Sequence, residues 1–98
     1  MRRSNPVILT DRSGTAHATP GTSTQVMAAN SGRDYLFFMN ISDTAEVWIN
    51  FGAAAAADTT GSIYVGPKGS YEKEGVVSQQ TLNMVSDTAT SKYTAKEA

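Results

Sequence analysis

Between Asp34 and Gly52 the chain carries its densest apolar patterning, DYLFFMNISDTAEVWINFG. In extended backbone, where successive side chains alternate between faces, Tyr35, Phe37, Met39 and Ile41 share one side of a first strand and Leu36 and Phe38 the other. After the polar link Ser42-Asp43-Thr44-Ala45, Val47, Ile49 and Phe51 form an apolar row, and Glu46, Trp48 and Asn50 lie opposite it. The link is short enough for a hairpin, so the pattern predicts strands over 33–41 and 46–51 that pair with each other. A strand with one face in water alternates apolar and polar residues, and this hairpin carries large apolar side chains on both faces. One row from each strand suffices for the core of a small sandwich. The surplus rows have two candidate covers: the protomer's own arm, alanine loop or a crossing strand, or a contact between subunits.

Shorter β-rich runs flank this region. Thr24–Ala28 is a strand candidate closed by the turn signal Asn30-Ser31-Gly32, and Ser62–Val65 is another. Gly66-Pro67-Lys68-Gly69 has Pro second and Gly fourth, the signature of a type I turn, and leads into Ser70–Glu74, whose charges alternate in sign as suits an exposed edge. Val76-Val77, Thr81–Ser86 and Lys92–Ala95 complete the set. The five alanines Ala53–Ala57 fall short of the ~12–15 residues an isolated helix needs, and the expectation is a loop with at most one helical turn. Turn signals every eight to twelve residues between short strands point to a sandwich or small barrel. The fold class expected is all-β: a single small antiparallel β-sandwich, jelly-roll-like, over 23–98, with an extended N-terminal arm over 1–22. That arm is either flexible or ordered on a partner, with Val7, Ile8 and Leu9 as its anchor.

Composition narrows the function classes. Ninety-eight residues make one domain, and the 22 Ser and Thr, 13 Ala and 8 Gly favour strands and turns over helix. A net charge of −1 with 17% charged residues leaves no basic footprint for nucleic acid and no polybasic patch for a membrane. There is no cysteine, which removes disulfides and thiolate chemistry. The run Val7-Ile8-Leu9 is too short for the roughly 7–15 apolar residues of a secretory signal, and no window approaches the ~18 of a membrane span. The expectation is a soluble product made in a cytoplasm.

Candidate chemistry is sparse. The single histidine, His17, lies in the unpatterned leader and reads as a solvated loop residue, so neither a Ser–His triad nor a Cys–His pair has a well-placed base. Glu72 and Glu74 share a strand face, a spacing compatible with acid–base work but better read as a solvated edge. Asp58-Thr59-Thr60 offers oxygens without the acidic density of a calcium loop. GPKGS lacks the strand–helix context of a phosphate loop. Tyr35, Phe37, Phe38, Trp48 and Tyr64 could line a stacking platform, yet no basic residues are interleaved with them. No catalytic, cofactor or metal site is assigned, and the protein is not expected to be an enzyme.

The pattern Asn40-Ile41-Ser42, Val47-Trp48-Ile49-Asn50-Phe51-Gly52, an Ala-rich loop, Ser62-Ile63, Gly66-Pro67-Lys68-Gly69-Ser70-Tyr71-Glu72 and Gly75 resembles small structural virion proteins of tailed bacteriophages. Among these it is most similar to head decoration, or cement, proteins. The likeness spans roughly Arg33 to Glu97, about two-thirds of the chain, and rests on turn spacing and a short N-x-G … G-P-x-G-S signature. It implies a compact β domain present in many copies, often as a trimer, bound outside the capsid where major capsid subunits meet. The expected mechanism is self-association followed by clamping of neighbouring shell subunits, with Tyr35, Phe37, Phe38 and Trp48 as subunit contacts. A tail or head-fibre component is an alternative, and a glycan-binding module using Trp48 or Tyr64 is the rival from another class.

Overall fold

The computed structural model describes residues 8–98, an all-β chain of nine strands and no helix. The strands are β1 (Thr10–Asp11), β2 (Gly14–Thr15), β3 (Thr24–Met27), β4 (Tyr35–Asn40), β5 (Val47–Phe51), β6 (Ile63–Val65), β7 (Ser70–Glu74), β8 (Leu82–Ser86) and β9 (Lys92–Glu97). They form two antiparallel sheets: one runs β1-β9-β4-β7 with β2 also on β9, and the other runs β3-β8-β5-β6.

The pairing is nested. β5 pairs with β6, β4 with β7, β3 with β8, and β1 and β2 with β9. The ladders β4–β9 and β5–β8 then seal the rolled-up ribbon. β1 and β2 keep one register against β9, from Thr10↔Glu97 to Thr15↔Lys92, so they are halves of one strand interrupted at Arg12-Ser13. The gap is bridged: Arg12 N–H donates to the Ala95 carbonyl at 2.7 Å, and the Ser13 hydroxyl accepts from the Ala95 N–H at 3.0 Å. Counted this way there are eight strands in the order of a jelly roll.

This topology corrects the expected hairpin. β4 and β5 do not pair; they are central strands of opposite sheets, and the link after Asn40 crosses between layers. Buried Asn40 organises the crossing, its Nδ2 donating to the carbonyls of Ala45, Val65 and Gly66 at 2.8, 3.2 and 3.1 Å. Ser42 Oγ accepts from the Thr44 and Ala45 N–H groups, so the link is held on its own residues. The 66–69 turn also crosses between sheets, closed by Gly69 N–H on the Gly66 carbonyl. Its third residue, Lys68, has φ 62°, and positive φ there belongs to a type II rather than a type I turn.

Crossing solves the packing problem that a hairpin would leave. Leu36 and Phe38 of β4 now oppose Val47 and Ile49 of β5 across the sandwich, joined by Leu82, Met84, Tyr93 and Ala95. Phe38 stacks on Tyr93 with ring centroids 5.4 Å apart, and Phe51 tilts against Tyr71 at 6.0 Å. Each large side chain buried here contributes about 1.5–3 kcal/mol.

One end is closed by ions. Arg33 is buried; its Nε donates to Glu97 at 2.8 Å, and its Nη atoms donate to the carbonyls of Ser78, Gln80 and Ala28. Asn30 and Arg12 donate to the same carboxylate. Burial pushes the Glu97 carboxyl up, but these hydrogen bonds and the Arg33 charge outweigh it and hold it below its ordinary value. A buried pair this fully satisfied is costly to break from one side.

Candidate functional site

Both central strands have an outer face, and the two are treated differently. On the β5 sheet, Trp48 points outward but is only 8% exposed. It is covered by Ala55 of the alanine loop, packs with Val85 and meets the Tyr64 ring at 5.4 Å. That loop has no helical turn and is pinned by side chains: Asn83 Nδ2 on the Ala53 carbonyl at 2.7 Å, Ala55 N–H on Ser23 Oγ, and Ala56 N–H on Ser62 Oγ. Small side chains are what let the backbone lie close over the indole. Trp48 is therefore hidden by the protomer itself, while Tyr64 beside it stays exposed.

On the β4 sheet, no strand lies over the outer face among the described residues. Tyr35, Phe37 and Met39 run down its middle, each half-buried. The register sets their neighbours: Phe37 stands between Glu72 of β7 and Lys96 of β9, Tyr35 beside Glu74, and Met39 between Ser70 and Thr94. Asp11 follows Lys96 on the far side, with its carboxylate 3.8 Å from the ammonium. The Tyr35 hydroxyl donates to Glu72 at 2.6 Å, and this bond, burial and the acidic neighbours push its pKa up to about 12. The result is an apolar stripe with an acidic bank on β7 and a basic one on β9.

Of the four expected subunit contacts, Tyr35 and Phe37 lie on this open face. Phe38 is fully buried in the protomer core and Trp48 lies beneath the alanine loop, so neither offers surface to another chain; alternation along β4 and the loop over β5 are the reasons. Met39 and Lys96 complete the face, and only the strand pairing brings Lys96 to it. Of the expected arm anchor, Val7 lies outside the described residues, while Ile8 is 92% exposed and Leu9 is also exposed. From Thr10 onward the arm is laid on its own protomer along β9, and Ala16 enters the core. Val76, 91% exposed, lies at the same end as Ile8, where β9 finishes and β4 begins.

The other candidates stay apart. His17 is exposed and only accepts the Thr19 N–H on Nδ1. Asp58 and Thr59 sit in an exposed loop, and among the described residues no three metal-type ligands come together. Tyr64 is 53% exposed, but with Trp48 covered it is not part of a two-ring platform. No helix among the described residues is long and apolar enough to cross a membrane. The chain matches no family model, no curated protein and no solved structure.

Proposed function

We propose that this protein is a structural assembly unit of a virion, of the head decoration or cement kind. It self-associates through the outer face of the β4 sheet and grips neighbouring major capsid subunits, stabilising the shell of a tailed bacteriophage. The observation that carries the reading is the continuous apolar row Tyr35, Phe37 and Met39, half-buried on a sheet face over which no strand lies among the described residues. Contiguous apolar rows that stay partly accessible in this way mark contact surfaces. The sequence resemblance supplies the virion context, and the jelly roll is one of several folds compatible with it, since a fold alone does not determine function.

In this reading Ile8 and Leu9, before β1, and Val76, after β7, exposed at the same end on opposite edges of the sheet, contact the shell. Each contact is weak, and many copies acting together supply the strength. The glycan-binding alternative, which named Trp48 or Tyr64 as its platform, is left with the exposed Tyr64 ring alone. The test is reconstruction of virions that carry the chain, with and without residues 2–9. Many copies seated where shell subunits meet, lost when the arm is removed, are expected. Copies confined to the tail, or absent from the particle, would overturn the assignment.

A further inference from the structure

We infer that the outer face of the β4 sheet pairs with the same face of a second copy about a two-fold axis running along β4. This rests on the self-association proposed above and adds its symmetry and register. The rung through Phe37 reads Glu72, Phe37, Lys96 across β7, β4 and β9: acidic, apolar, basic. Turning a copy over about the strand direction exchanges left and right without moving a residue along the strand. Glu72 of each copy then lies over Lys96 of the other, and Phe37 meets Phe37 at the axis. Turning it about the perpendicular in-plane axis would instead set Glu72 over Glu72, so the charges select one of the two flips. Because Phe37 sits on the axis, the ~30° rotation usual between packed sheets moves the flanking charges by only a few ångströms, within reach of Lys and Glu side chains.

A three-fold ring, which the resemblance implies, needs two different complementary patches, whereas a two-fold contact needs one patch that matches itself. This face matches itself. Its competing intrachain contacts are modest: Lys96 to Asp11 at 3.8 Å, with Asp11 well exposed, and Tyr35 to Glu72, which leaves that carboxylate a free oxygen to accept from a lysine. Four strands of up to six residues give a footprint of roughly 400 Å² per copy, at the small end for specific interfaces. A reversible dimer populated at high micromolar concentration is expected rather than a permanent one.

Two single charge reversals of the full chain, Glu72→Lys and Lys96→Glu, test this by native mass measurement, with thermal melting to show that each folds. Alone, each reversal places like charges over each other at both contacts, and the dimer fraction should fall at least tenfold. Mixed in equal amounts, the two variants regain opposite charges at both contacts and should form a heterodimer; the double variant should dimerise like the parent. A parent oligomer that ignores both reversals, or a parent trimer, would overturn the two-fold while leaving self-association standing. A parent that stays monomeric at hundreds of micromolar would overturn both.

Discussion

Replacing Arg33 by methionine isolates the largest single electrostatic commitment in the fold. The substitution keeps a long apolar stem and removes four donated hydrogen bonds, one to Glu97 and three to the carbonyls of Ser78, Gln80 and Ala28. Glu97 keeps Asn30 and the half-exposed Arg12, so its charge stays in place with less to balance it. Stripping one partner from a buried pair costs about 3–5 kcal/mol, against a total of about 5–15 kcal/mol for a domain. At 4–8 °C per kcal/mol for a chain of this length, the midpoint should fall by at least ~12 °C. Urea unfolding followed through Trp48, the sole tryptophan, measures the loss directly. Adding Glu97→Gln to Arg33→Met removes a carboxylate left with only Arg12 and Asn30 to balance it and should restore at least ~1 kcal/mol. A loss under ~1 kcal/mol in the single variant, or a double variant no better than the single, would refute the reasoning. The pH dependence follows the same pair. Glu97 is depressed in the fold, so its contribution is complete above the unfolded glutamate value of ~4.3. It is lost as pH falls through the lower folded value, and Arg33→Met should show a shallower acid limb.

Adjacent phenylalanines should behave as opposites. Phe38→Ala, in the core, costs about 3–5 kcal/mol, whereas Phe37→Ser, half-buried on the outer face, should cost only about 1–2 kcal/mol yet abolish association; chemical denaturation and sedimentation separate the two. Ala55→Glu should wedge the alanine loop off Trp48 and shift its fluorescence emission to the red with the fold retained, and an unchanged spectrum would show that the loop is not the indole's cover. Gly52, where β5 gives way to that loop, has φ 79°, and an added Cβ would lie 2.8 Å from Gln80 Nε2. Gly52→Ala should therefore cost about 1 kcal/mol or more, read from the urea midpoint.

Strand positions from Thr24 onward follow from alternation, β-branched content and turn residues, and the structure bears out the all-β sandwich. Partners were harder to read. The 42–45 link has a hairpin's length, and nothing local in it says that β4 and β5 enter different sheets. What decides is the collective need to set Leu36 and Phe38 against Val47 and Ile49, with Asn40 collecting three carbonyls at the crossing. A weak local signal did exist: β4 and β5 both carry apolar residues on two faces, as strands at the centre of their sheets do. β1 and β2 are two residues each, bare of apolar pattern and held by backbone pairing on β9, so composition could not reveal them. The open face was half legible. Tyr35 and Phe37 stand out by their alternation, but Lys96 and Glu72 join them only through the β4–β9 and β4–β7 registers.

Sedimentation equilibrium of the parent chain across a concentration series reaching several hundred micromolar tests most directly whether the β4 sheet needs a second molecule to cover it. The expected result is a reversible climb from the protomer mass of 10.4 kDa toward twice that value, abolished by Phe37→Ser. A parent chain that holds the protomer mass at every concentration would contradict the account.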